Sequence, residues 1–109
     1  MKLLTKKIKD KLISNHQKQD GTKTFRAELK LFNPTGMGTW YISELNPETN
    51  VAFGLCDLHE TEFGYISLDE LEAIKLPFGL SIERDKFFQP KEFQDIIFNI
   101  NKPDHIQAR

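Results

Sequence analysis

The hydrophobic pattern of residues 24–67 constrains the fold more than any other feature of the chain. In residues 24–32, the apolar side chains Phe25, Ala27, Leu29 and Leu31 alternate with charged ones. A period of two is typical of a strand with one packed face and one wet face. Residues 39–45, 51–58 and 63–67 are three further strand-like segments joined by short, turn-rich links. This pattern predicts a four-stranded antiparallel meander, with 51–58 as a central strand because it is almost continuously apolar.

The residues before the strands predict an amphipathic helix. Thr5 can cap a helix that ends near residue 18, in which Leu4, Ile8 and Leu12 recur every four residues. Its other faces are rich in lysine. Asp20 and Gly21 follow as a stop signal.

Two more helices are predicted after the strands. Ser67 and Glu70 form an S-x-x-E capping box ahead of a short helix that ends near Pro77. Residues 80–84 are compatible with a further short extended piece. Pro90 suits the first position of a last helix, which Pro103 ends.

Together these elements predict one α+β domain over residues 1–109, with the sheet covered by helices on one side. Its expected parts are a basic amphipathic helix (1–20), the sheet (24–67), a helical C-terminal part (68–102) and a frayed tail (103–109). A chain of 109 residues can bury a modest core without disulfides or metal.

The single cysteine, Cys56, excludes an intramolecular disulfide framework. The N-terminus lacks the apolar run of a signal peptide, and the sequence contains no run of eighteen apolar residues. These features predict a cytoplasmic protein with no membrane contact.

The net charge of −1 conceals a strong asymmetry along the chain. Residues 1–30 hold nine Lys or Arg against three Asp or Glu, a balance of +6, and residues 31–109 hold six against thirteen, a balance of −7. Between Lys30 and Lys75 there is no Lys or Arg, while acidic residues are frequent. This gap predicts an acidic surface that would attract a basic partner.

Several short motifs of the sequence resemble those of a known family. WYISE, AFGL, GYISLDEL and GLSIERD, with FFQP after the last, occur in the order found in a family of small bacterial proteins, the domain-of-unknown-function family two-nine-five-eight. The resemblance covers roughly residues 3–93. The lysine-rich start is a departure, because many members have a shorter or less basic one.

The resemblance implies no activity, cofactor or catalytic residue, because none is established for the family. It does imply a setting, since members resemble cargo of plasmids and conjugative elements beside antirestriction or DNA-processing genes. An accessory role in a mobile genetic element, with a basic or DNA-processing protein as partner, is therefore the expectation that it suggests.

Cys56 and His59 have the Cys-x-x-His spacing of half a zinc site. The other histidines, His16 and His105, lie near opposite ends of the chain, so no complete ligand set is apparent. The apolar flanks of Cys56 also disfavour a reactive thiolate. We therefore predict no metal, no cofactor and no catalytic residue.

Arg84 and Asp85 belong to the charged motif GLSIERD, which resembles the family. Arg84 could bind a carboxylate or phosphate in a bidentate manner. The structural alternative, which we favour, is an internal ion pair that holds this extended piece in place.

The function we predict is that of a binding or accessory module acting through an acidic face with Trp40 at its margin. The face is expected to contain Glu44, Glu48, Asp57, Glu60 and Glu62, and the candidate binding residues also include His59, Arg84 and Asp85.

Two alternatives from other classes stay open. One is a small carboxylate-dependent hydrolase, for which Asp57, His59 and Glu83 would have to converge in a deep pocket. The other is nucleic-acid binding through the N-terminal lysines, Lys2, Lys6, Lys7, Lys9 and Lys11, with an affinity that falls with salt.

Overall fold

The centre of the molecule is a five-stranded antiparallel sheet. The computed structural model describes residues 3–18 and 26–101. The strands are β1 (Arg26–Ala27), β2 (Leu29–Phe32), β3 (Thr39–Asn46), β4 (Val51–Asp57), β5 (Thr61–Ser67), β6 (Glu83–Arg84) and β7 (Lys91–Glu92). The helices are α1 (Lys6–Gln17), α2 (Leu68–Ala73) and α3 (Phe93–Ile100), with a 3-10 turn at Pro77–Gly79.

The strand order is β5-β4-β3-β2-β6, so the α+β class and the predicted run of antiparallel hairpins are both present. The prediction of four strands was incomplete, because the chain returns after α2 and adds β6 beside β2. The register places Glu83 opposite Phe32 and Arg84 opposite Leu31. A strand of two residues leaves no periodic signal, which is why only an extended piece could be expected there.

The predicted first strand divides into two at Glu28. The N–H of Glu28 donates to the carbonyl of Ile42 at 2.8 Å, and β1 then pairs with β7 in a separate two-stranded sheet. For the same reason α3 begins at Phe93 rather than at Pro90, since Lys91 and Glu92 are used as β7. Residues 24 and 25 of the predicted strand, and the stop signal at residues 20 and 21, lie outside the described residues.

Helices pack on both faces of the sheet, whereas the sequence predicted one covered side. Leu12 of α1 and Leu71 of α2 share a buried cluster with Ile42 and Ala52, which project to one face. Phe93 and Ile96 of α3 pack instead with Leu55, on the opposite face. The correction has a physical reason: β4 is apolar on both faces, so it needs a cover on each.

The helix starts predicted at Thr5 and Ser67 are confirmed. The Thr5 Oγ1 accepts from the N–H of Ile8 at 3.2 Å, and the Ser67 Oγ accepts from the N–H of Glu70 at 3.2 Å. Each side chain thereby satisfies one free donor of a first turn. The second helix is shorter than predicted, since α2 ends at Ala73 with Ile74 as its C-cap, rather than near Pro77.

A β-bulge in β3 positions the end of α1. The register with β4 shifts between Ile42 and Glu44, leaving Ser43 as the extra residue. The Nδ2 of the buried Asn15 donates to the carbonyl of Ser43 at 3.0 Å, which ties the last turns of α1 to the bulge. The longest helix has twelve residues, and within the described ranges no helix could cross a membrane.

Candidate binding surface

The hairpin between β4 and β5 carries three of the predicted acidic residues. Asp57 is the last residue of β4 and accepts from the Thr61 hydroxyl at 3.1 Å through its Oδ1, while Glu60 and Glu62 are exposed. We call Asp57, Glu60 and Glu62 the acidic hairpin end. His59 lies on the same turn and is also exposed.

Trp40 is connected to this end through the sheet. The register places Trp40 opposite Cys56, and Cys56 opposite Glu62, so the three side chains lie in one row on the face that α1 covers. Trp40 is half-buried and packs against the core cluster beneath α1. It therefore lies two strands from Glu62 of the acidic hairpin end, and part of its ring is covered by the core.

Cys56 is not prepared for nucleophilic chemistry. Burial raises the pKa of its thiol, and the neighbouring Glu62 carboxylate raises it further. A thiol with a raised pKa is protonated near neutral pH, and the thiol is a far weaker nucleophile than the thiolate. In residues 3–18 and 26–101, no three His, Cys, Asp or Glu side chains come together as a metal site. His105 lies outside those ranges.

Glu44 and Glu48 lie away from the acidic hairpin end. Glu48 is in the turn between β3 and β4, at the start of β4. Asp57 is at the other end of β4. The six residue steps of β4 separate the two ends by about 20 Å. The side chain of Glu44 is only 16% exposed and its Oε1 lies 3.3 Å from the Nδ1 of His16. The five predicted carboxylates thus form two groups rather than one face.

Arg84 and Asp85 contact other parts of the chain. The Arg84 Nη1 donates to the carbonyl of Leu3 at 2.8 Å. The Asp85 Oδ2 lies 3.8 Å from the Lys30 Nζ, and its Oδ1 accepts from the N–H of Phe87 at 2.9 Å. Arg84 thus attaches β6 to Leu3 through a hydrogen bond, and Asp85, the residue after β6, pairs with Lys30.

The three residues named for a hydrolase do not converge. Asp57, Thr39, Phe32 and Glu83 are successive neighbours across β4, β3, β2 and β6. Three strand spacings place Asp57 about 14 Å from Glu83, beyond the reach of any shared proton. A cleft of about 540 Å³ does lie beside Glu83, but neither Asp57 nor His59 lines it.

The lysines of α1 lie on its exposed side. Lys6, Lys7, Lys9 and Lys11 all face solvent, and the Lys6 Nζ lies 2.8 Å from the Asp10 Oδ2. That hydrogen bond raises the pKa of Lys6. Within the described part of α1, no aromatic or arginine side chain accompanies these lysines for base stacking or base reading.

Aromatic side chains at the β5 edge are the feature that the sequence did not reveal. The Phe53 ring stacks on Phe63 with centroids 6.0 Å apart and meets Tyr65 edge-on at 5.3 Å. Phe63 also meets Phe93 of α3 edge-on at 5.1 Å. Phe63 is 47% and Tyr65 is 80% exposed, although large apolar side chains are more often buried. The position of β5 as the last strand of the predicted meander was the one available signal of this exposure, because the last strand of a meander can lie at the edge of its sheet.

Comparison with known proteins gives one match. The family model described as Protein of unknown function (DUF2958) matches residues 3–98. No curated protein matches the chain, and no solved structure matches it.

Proposed function

The chain belongs to the family described as Protein of unknown function (DUF2958), and from that premise we propose that it is a small binding module. Its partner is a basic protein, which it holds at the acidic hairpin end. We place this activity in the cytoplasm, in keeping with the lone cysteine, and in the accessory machinery of a mobile genetic element, in keeping with the family resemblance. A basic DNA-processing protein of such an element fits this description.

The observation that carries the proposal is an uncompensated negative charge. Glu60 and Glu62 are exposed, and neither forms an ion pair with the other described residues. The sequence has no Lys or Arg from residue 31 to residue 74. Such a region attracts cationic groups and repels phosphates, so a basic protein fits it better than a nucleic acid does.

The acidic hairpin end is a better candidate than the group at Glu44 and Glu48. The Glu44 side chain is only 16% exposed and its Oε1 lies 3.3 Å from the Nδ1 of His16, so its carboxylate offers a partner little open surface. Glu60, in contrast, directly precedes the edge strand β5 and Glu62 belongs to it, beside the exposed aromatic side chains of the same strand. Charge beside exposed aromatic surface is typical of protein interfaces.

Affinity capture with two matched double variants tests the proposal. The tagged protein, Glu60→Gln/Glu62→Gln and the control Glu44→Gln/Glu48→Gln are each exposed to host lysate at low and moderate salt, with and without nuclease treatment. Both variants remove two negative charges, so a general charge effect would weaken them equally. We expect a basic protein to be retained by the wild type and the control, and lost from Glu60→Gln/Glu62→Gln or at higher salt.

Other outcomes would contradict the proposal. Equal retention by all three proteins would show that the acidic hairpin end is not the binding surface. Retention of nucleic acid alone, removed by nuclease, would assign binding to the lysines of α1. If the control lost the basic protein and the Glu60→Gln/Glu62→Gln variant retained it, the binding site would lie at Glu44 and Glu48 instead.

A further inference from the structure

The outer edge of β5 has a defined set of open backbone groups. Two backbone hydrogen bonds lie just beyond the ends of the β4–β5 pair. The N–H of Leu68 donates to the carbonyl of Asn50 at 3.1 Å, and the N–H of Leu58 donates to the carbonyl of Glu60 at 3.2 Å. Hydrogen-bonded positions alternate in an antiparallel pair. Counting inward from either end, Glu62, Gly64 and Ile66 bond to β4. The N–H and C=O groups of Thr61, Phe63 and Tyr65 therefore point away from the sheet.

This edge lacks the usual protection of an edge strand. β5 has seven residues, pairs with β4 without a register shift, and contains no proline. Among residues 3–18 and 26–101, no strand pairs with its outer side. Natural sheets normally shorten, bend or cover such an edge because it can accept another strand.

The two faces beside the edge differ in chemistry. Phe63 and Tyr65 project to the face where they contact Phe53, and Glu62 projects to the other face beside Cys56. A strand added here would place alternate side chains next to the aromatic rings and next to the carboxylate. The edge thus favours a segment in which apolar and basic residues alternate.

We infer that β5 binds its partner by strand addition, accepting an extended segment with alternating Lys or Arg and apolar residues. The segment runs antiparallel to β5, like every other pair in the sheet. Its apolar residues bond to the backbone of Thr61, Phe63 and Tyr65, and its basic residues face Glu62. The inference deepens the proposed function and rests on it, because the same acidic hairpin end supplies the charge.

Charge favours a basic segment over a second copy of this chain. Glu60 and Glu62 lie at one end of β5, and Asp69 and Glu70 follow its other end. Two copies paired antiparallel would bring Glu60 and Glu62 of each copy towards Asp69 and Glu70 in the first turn of the other copy's α2. Like charges placed opposite one another oppose such pairing, whereas a basic segment is complementary to both ends.

A peptide that is modified on one edge tests the inference without altering the protein. The probe is a peptide of about eight residues with alternating Lys and Val, long enough to span β5. One version is N-methylated on its Val residues and one on its Lys residues. In an antiparallel pair the Val amides face β5, so the Val-methylated peptide should bind the full chain about tenfold or more weakly than the unmodified peptide. The Lys-methylated peptide should bind as the unmodified one does.

Titrations with Glu60→Gln/Glu62→Gln separate this inference from the proposed function. If the variant binds the unmodified peptide more weakly, but both methylated peptides bind the wild type equally, charge recognition stands and strand addition is wrong. If the Lys-methylated peptide is the weaker, or if the unmodified peptide does not bind, the inference is overturned. The lysate capture then decides the proposed function independently.

Sedimentation of the free protein tests whether a second copy of this chain covers the edge of β5. We expect a monomer across the concentrations of the titration. A dimer that the Tyr65→Pro variant dissociates would identify a second copy as the strand that covers β5, and would overturn the inference. Proline suits this test because the N–H of Tyr65 is not used by β4, and an edge position tolerates its loss.

Discussion

At the scale of single residues, Gly54 is the position with the least room for change. A Cβ added there would lie 1.9 Å from the carbonyl oxygen of Tyr41, which is backbone and cannot rotate aside. We expect Gly54→Ala to lower the free energy of unfolding by about 3 kcal/mol or more, because β3 and β4 would have to separate. Denaturant unfolding measures the change.

Gly64 supplies the matched control for that substitution, since it is the cross-strand partner of Gly54. A Cβ at Gly64 would meet only the Cys56 Sγ, at 3.9 Å, which is an ordinary contact. We expect Gly64→Ala to change the stability by less than about 1 kcal/mol. Equal losses in the two variants would contradict the close approach of β3 to β4 at Gly54.

Cys56 reports on the electrostatics of the row that ends at Glu62. Burial is the larger cause of its raised pKa and the Glu62 carboxylate is the smaller one. The variant Glu62→Gln should therefore lower the pKa of Cys56 without removing the whole shift. Because Cys56 is the only cysteine, the pH dependence of alkylation by iodoacetamide measures it directly. An unchanged or higher pKa in the variant would contradict the contact.

The same thiol makes stability depend on pH. Its pKa is higher in the folded chain than in the unfolded chain, so the unfolded chain loses the proton first as the pH rises. The free energy of unfolding should therefore fall as the pH rises from the ordinary thiol pKa to the pKa of Cys56 in the folded chain. The variant Cys56→Ser should lack this alkaline component, which unfolding measured on both sides of the ordinary thiol pKa would reveal.

At the scale of elements, the backbone of β5 should show an alternating pattern of amide exchange. The N–H groups of Glu62, Gly64 and Ile66 bond to β4, whereas those of Thr61, Phe63 and Tyr65 face outward. We expect slow exchange at the first three and fast exchange at the second three in the free protein. Uniform protection along β5 would mean that another strand already covers its edge.

The elements also show which parts of the fold a sequence can reveal. Thr5 and the four-residue spacing of Leu4, Ile8 and Leu12 are local signals, and they predicted α1 to within a residue at each end. The pairing of Arg84 with Leu31 depends on two residues far apart in the chain, and no local pattern encodes it. The strands of the meander were therefore predictable, but β6 and the β1–β7 pair were not.

The candidate site was predictable in composition but not in arrangement. The absence of Lys and Arg from residue 31 to residue 74 is visible in the sequence, and the prediction joined its carboxylates into one face. The length of β4 separates Glu48 from Asp57, and Glu44 lies against His16. Tyr65 is 80% exposed because it lies on an edge strand, and its residue type alone does not indicate this.

At the scale of the whole molecule, charge and shape coincide at one edge. The N-terminal residues carry the positive charge and α1 packs on one face of the sheet. The open strand β5, its aromatic side chains and the acidic hairpin end lie together at the edge opposite β6. This coincidence of charge, exposed aromatics and free backbone groups is the basis of the central claim, that a basic partner binds at this edge.

Amide chemical shifts of the protein, recorded as the peptide is added, locate the binding site residue by residue. The isotope-labelled protein is titrated with the alternating Lys and Val peptide at low salt and again at moderate salt. We expect the largest shifts on residues 60–65, and we expect them to diminish as the salt concentration rises. Shifts centred on residues 6–11, or on Glu44 and Glu48, or no shifts at any residue, would contradict the central claim.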